Sequence, residues 1–231
     1  GYSDREFNGI MAAARSEVAA IRSRLQRGQR LVTRYEREPD TLSAEERRLA
    51  KVLAEIAATG EIPVIAHDSR AWDNHPMMTL ARQLFVTGFD LGPLLTLAVG
   101  ISGRNLETLK DLTIEHDVLE DKAVRVEVIK RRRGPARMFE TVHWEIGTPS
   151  QQLRRPGGYY LLLEQMMRLG RSFSGTSSLW SVWDPPDGHH GPFDVGLHLK
   201  DWHMQRWKQR HPLLDDNGQP LQITSLRLKK T

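Results

Sequence analysis

Between Lys122 and Arg137 the chain places seven cations, Lys122, Arg125, Lys130, Arg131, Arg132, Arg133 and Arg137, against the single anion Glu127. Such a density of positive charge suits a polyanion, because every phosphate it neutralises releases condensed counterions. A solvated hairpin whose lysines and arginines guard a strand edge accounts for the run equally well. Upstream, Arg104 and Glu107 stand at i, i+3, a spacing that by itself makes a surface ion pair worth about 0.2–0.5 kcal/mol. Nine histidines raise the question of a metal. His198 and His203 are five apart and share no helical face, and His189-His190 has no partner at ligand spacing, so no metal site is expected. Gly170-Arg171-Ser172-Phe173-Ser174-Gly175 is not a nucleophile elbow, and Gly100-Ile101-Ser102-Gly103 lacks the Lys-Ser/Thr of a phosphate loop. Hydrolase and nucleotide chemistry are therefore unsupported.

Composition bounds the rest. A chain of 231 residues with 39% hydrophobic and 27% charged content buries a core of ordinary size. The longest apolar run, starting at Leu94, is interrupted by Gly100 and is far short of the roughly 20 residues that cross a bilayer. With no cysteine and no basic-then-apolar leader after Gly1, a reducing, cytoplasmic setting is the expectation. The net charge of +4 matters less than its concentration in one stretch.

The elements that would position these residues are mostly helical. Ser3 and Glu6 make a capping box, and Phe7, Ile10, Met11, Ala14, Val18, Ile21 and Leu25 follow at helical spacing, predicting a helix that ends near Gly28. Ser43 and Glu46 repeat the device for a second helix closed by Gly60 and Pro63. After a loop, helices are expected over 76–90 and 93–99, split at Gly92-Pro93, with a third opening near Arg104. Residues 123–129 alternate apolar and charged, and 138–144 form the returning strand of a hairpin with the basic run at its tip. A helix beyond Pro156-Gly157-Gly158, from Tyr159 and ended by Gly170, a serine-rich loop over 172–178 and a last helix over 197–211 complete the reading. The fold class is mainly α with a small antiparallel β-sheet (α+β). The division is an N-terminal helical segment, 1–75, and a domain over 76–231.

From Leu94 to Asp117 the order of pieces is specific: a buried apolar helix, a turn at Gly103, Arg104-x-x-Glu107 with Leu109 and Leu112 behind it, then a turn into the valine strand and Lys130. In this order the chain resembles the catalytic domain of tyrosine recombinases, the phage integrases, over roughly residues 84–231. The resemblance implies duplex DNA as partner, a homo-oligomer on that DNA, no cofactor, and strand transfer through a 3'-phosphotyrosyl intermediate. It implies that Arg104 clamps the scissile phosphate, whose developing charge a guanidinium fork stabilises, and that Lys130 protonates the leaving oxygen. Lys130, Arg131, Arg132, Arg133 and Arg137 would hold the DNA backbone.

Near the end, Thr224-Ser225-Leu226-Arg227-Leu228-Lys229 is similar to the approach to that family's His-x-x-Arg helix. One register puts Lys229 at the arginine and another puts Arg227 there with Thr224 at the histidine; neither supplies histidine, and lysine lacks the bidentate fork. Tyr2, Tyr35, Tyr159 and Tyr160 all lie upstream of this motif, so the chain is expected to stop before the nucleophile and not to cleave DNA as given. The competing expectation is a non-catalytic module. It would be a DNA-binding regulator, or a protein-interaction domain with a face of Trp180, Trp183, Trp202, Trp207 and Met77-Met78, although core packing is the better explanation of the tryptophans.

Overall fold

The computed structural model describes residues 1–65, 75–129, 139–185, 193 and 199–229. Helix α1 spans Asp4–Arg37, 34 residues, and starts at the reciprocal Ser3–Glu6 capping box. It does not stop at Gly28, as its glycine suggested. A Cβ there would overlap the carbonyl of Gln83, so Gly28 is a close-approach residue that lets α1 lie against the segment around Gln83. Helix α2 (Ala44–Thr59) is capped by Ser43 and Glu46 and ends at Gly60 with φ 75°, as its sequence predicts.

Helix α3 covers only Pro76–Leu84, and a helical turn over 88–90 replaces the rest of the helix expected to reach Asp90. The reason is Asp90 itself. Its buried carboxylate accepts from Thr87 N (2.9 Å) and Thr87 Oγ1 (3.1 Å), local bonds that compete with helix continuation. Helix α4 (Leu91–Ser102) then begins with Gly92 and Pro93 inside its first turn, where proline loses no hydrogen bond. Apart from its last turn α4 is buried all along, and it forms the axis of the main core. Gly103 ends it in the left-handed conformation, and Asn105 caps the short α5 (Leu106–Lys110) by accepting from Thr108 N.

The expected hairpin is part of a three-stranded antiparallel sheet in the order β1 (His116–Leu119), β2 (Ala123–Ile129), β3 (Phe139–Glu145). Strand β1 was not foreseen, because four residues with an exposed middle carry no alternation. Val124, Val126 and Val128 of β2 and Val142 and Trp144 of β3 face the core, and Val128 pairs with Glu140. Helices α6 (Pro156–Met166) and α7 (Arg168–Ser174) follow. Gly170 does not end a helix. It is buried inside α7 with the Phe193 ring beside it, and Gly175 at φ 65° closes the helix, so part of the expected serine-rich loop is helical. Helix α8 (Asp201–Arg210) is shorter than the 197–211 expected, and α9 (Ser225–Lys229) ends the described chain.

One hydrophobic core gathers α1 from Ile10 to Leu25 with α4, α6, α8, α9 and the sheet; a second gathers Val32 of α1 with α2 and α3. The described residues are mainly helical with a small antiparallel sheet, an α+β fold. No described helix is long and apolar enough to cross a membrane.

Candidate nucleic-acid interface

Arg104 follows the Gly103 turn that joins α4 to α5, and its backbone N–H donates to Ser102 Oγ at 3.2 Å. Its side chain does not pair with Glu107, which instead binds Lys110 at 2.7 Å. The Arg104 guanidinium reaches β3, where Nη1 and Nη2 each stand 3.4 Å from a different carboxylate oxygen of Glu140. This is the fork-on-fork arrangement that a planar anion with two oxygens adopts on arginine, at long distance. The side chains are a quarter and a third exposed, so the pair lies at the surface end of the sheet.

Glu140 is one residue past Phe139, the partner of Ile129 across the hairpin. On the opposite strand Thr108 Oγ1 donates to the Ile129 carbonyl at 3.4 Å, tying α5 to the last described residue of β2. The α4–α5 turn and α5 are therefore fastened to both strands at the ends that lead into the basic run. Lys130, Arg131, Arg132, Arg133 and Arg137 lie outside the described residues. Glu140 and Thr108 were not anticipated from sequence. The signal for Glu140 was the alternation of β3, which puts this carboxylate on the same face as Val142 and Trp144 and so requires a cation nearby.

The end of the chain is brought to the same end of the molecule. Arg24 bonds Asp90 beside the start of α4, and Met11 lies against Gly100 near its finish, so α1 runs antiparallel to α4. Tyr2 then stands at the α4–α5 end, where its hydroxyl donates to the Gln222 carbonyl (2.6 Å) and accepts from Thr224 N (3.1 Å). Thr224 caps α9 through the Arg227 N–H. Arg227 packs its guanidinium 4.1 Å over the Tyr2 ring and donates to the Gln222 carbonyl, while Lys229 is exposed on the last turn of α9.

Three of the four tyrosines are committed to structure. Tyr159 donates to the Leu94 carbonyl and Tyr160 to the Thr113 carbonyl, and burial is the main force pushing the hydroxyl pKa of Tyr2, Tyr159 and Tyr160 upward. Such phenols are poor nucleophiles near neutral pH. The exposed tryptophan–methionine face is not formed. Trp180, Trp183, Trp207, Met77 and Met78 are core residues, and only Trp202 of these is exposed, at 48%. His203 is buried on α8, while His189, His190 and His198 lie outside the described residues. No protein-family model, curated protein or solved structure matches the chain.

Proposed function

We propose that the chain is a tyrosine-recombinase-like domain that binds duplex DNA through Arg104 and the basic hairpin of Lys130, Arg131, Arg132, Arg133 and Arg137. Arg104 takes a backbone phosphate, Lys130 stands ready to protonate a leaving oxygen, and α9 with Arg227 and Lys229 contributes further positive charge. Strand transfer belongs to a form of the protein that supplies a reactive tyrosine. One observation carries this reading: Arg104 meets β3 beside the strand end that leads into the basic run, with a two-oxygen anion, the Glu140 carboxylate, across its guanidinium fork. A phosphate presents two oxygens in the same way, and the neighbouring run adds the charge that phosphate contacts need.

Binding of the full chain to a fluorescent random duplex across a salt series tests it. Each phosphate contact contributes roughly 0.9 to the slope of log affinity against log salt. Changing Lys130, Arg131, Arg132 and Arg133 together to alanine is expected to reduce the slope by two or more, and Arg104→Ala by about one, on the same scale of roughly 0.9 per contact. Absence of binding by the intact chain at low salt sinks the proposal.

A further inference from the structure

The outward face of the second half of α1 carries charge that its own helix does not balance. Arg27, Arg30, Arg34 and Arg37 follow one another at steps of three, four and three residues, so they form one stripe, opposite the Leu25, Gly28 and Val32 face that enters the core. Arg27, Arg30 and Arg37 are exposed and make no ion pair or side-chain hydrogen bond among the described residues. Arg34 meets Glu46 of α2 at 3.7 Å. Elsewhere on the same helix Arg5 meets Asp216 at 2.6 Å and Arg24 meets Asp90 at 2.8 Å. Glu36, the only carboxylate of α1 beyond Glu17, stands neither three nor four residues from any arginine of the stripe.

Like charges at these spacings repel and weaken a helix, so a face kept for stability alone would set glutamates among them. The macrodipole offsets the repulsion in the last turn, at Arg34 and Arg37, but not at Arg27 and Arg30. An external polyanion would relieve it. The stripe spans about 15 Å at roughly 1.5 Å per residue, a length over which one strand of a duplex presents about four phosphates at roughly 3.4 Å each. Guanidinium forks fit phosphate oxygens, and the exposed Ser23 and Gln26, four residues before Arg27 and Arg30, add neutral donors of the kind that hold a nucleic-acid backbone. A lipid surface fits less well, because the apolar face of α1 is buried in the two cores and cannot enter a bilayer.

We propose that this face of α1 is a second nucleic-acid contact, which takes the phosphate backbone of a duplex along Arg27, Arg30, Arg34 and Arg37. The class of partner rests on the DNA reading above. The stripe itself is a property of one continuous helix, with its geometry set by the helical repeat.

The test is the same salt series on the full chain, with the double variant Arg27→Gln/Arg30→Gln, the single reversal Arg30→Glu, and the hairpin quadruple variant combined with each. The double variant is expected to lower the slope by about twice 0.9, in addition to the loss caused by the hairpin variant. Arg30→Glu sets a carboxylate three residues after Arg27 and four before Arg34, so it is expected to raise the urea midpoint while weakening duplex binding. Both side chains are exposed, so neither variant removes a core contact. Duplex binding with an unchanged slope in the double variant overturns the stripe and leaves the hairpin reading intact. No duplex binding by the intact chain overturns both. A parallel titration replaces the duplex by poly-glutamate at equal salt. If the intact chain binds it as tightly as duplex and the double variant loses it, while the duplex slope is unchanged, the stripe takes an acidic protein and the backbone assignment falls.

Discussion

At the scale of the residue, Glu140 decides how Arg104 is presented. Its carboxylate occupies the guanidinium fork, so a DNA phosphate must displace it or share the arginine with it. Surface pairs of this exposure are worth about 0.2–1 kcal/mol, which converts to a competition of roughly 1.5- to 5-fold. Glu140→Gln keeps the shape and removes the competing charge. It is expected to tighten duplex binding by that factor and to steepen the salt dependence, both read in one fluorescence titration; weaker binding would mean that Glu140 orients Arg104 rather than blocks it.

At the scale of the element, two glycines of α1 separate propensity from packing. Gly9 has open space around its Cβ direction, so Gly9→Ala is expected to stabilise the fold by about 0.5–1 kcal/mol, the ordinary helix preference for alanine. Gly28→Ala gains the same preference but drives a methyl into the Gln83 carbonyl, and parting α1 from α3 costs about 1–3 kcal/mol or more. The net sign reverses, and urea midpoints of the two variants check it. A second element-level effect joins α6 to α7. Hydrogen bonding to Arg168 is the largest influence on the Glu164 carboxyl; burial opposes it, and the charges of Arg168 and Arg171 add to it, so the pKa lies below its ordinary value. A depressed folded-state value means that this stabilisation is present above the unfolded carboxylate pKa, about 4.3, and is lost as pH falls through the folded value. Unfolding of Glu164→Gln should therefore show a smaller drop in urea midpoint between pH 7 and pH 3 than the intact chain.

At the scale of the molecule, α1 is about 50 Å long at roughly 1.5 Å per residue, and it lends residues to both hydrophobic cores. Asp90 sits where the cores meet, with Arg24 from α1 at 2.8 Å and Arg82 from α3 at 3.6 Å. Its side chain is 2% exposed, so Asp90→Asn leaves two cations without their shared anion and is expected to cost about 3–5 kcal/mol in urea unfolding. Because one helix serves both cores, the intact chain should unfold in a single transition. Trp183 belongs to the second core while Trp144, Trp180 and Trp207 belong to the first, so the difference in fluorescence melting between the intact chain and Trp183→Phe reports the second core. Non-coincident melting curves would show that the cores unfold independently.

What local chemistry specifies was legible in the sequence. Two capping boxes, the Gly60 and Gly103 turns, the alternation of β2 and the apolar α4 follow from bonds within a few residues, and the structure has each of them. The ends of α3 and α7 and the continuation of α1 past Gly28 were not legible. The Thr87–Asp90 bonds and the Gly175 turn are local and were missed, while the close approaches of Gly28 to the Gln83 carbonyl and of Gly170 to the Phe193 ring, and the pairing of Arg24 and Arg82 with Asp90, involve residues from elsewhere in the chain. The candidate site divides in the same way. Arg104 and the charge of the hairpin run are properties of the sequence, because charge and side-chain type need no neighbours. That Arg104 faces Glu140 rather than Glu107 only the tertiary structure decided, since electrostatic pairing depends on distance in space and not along the chain.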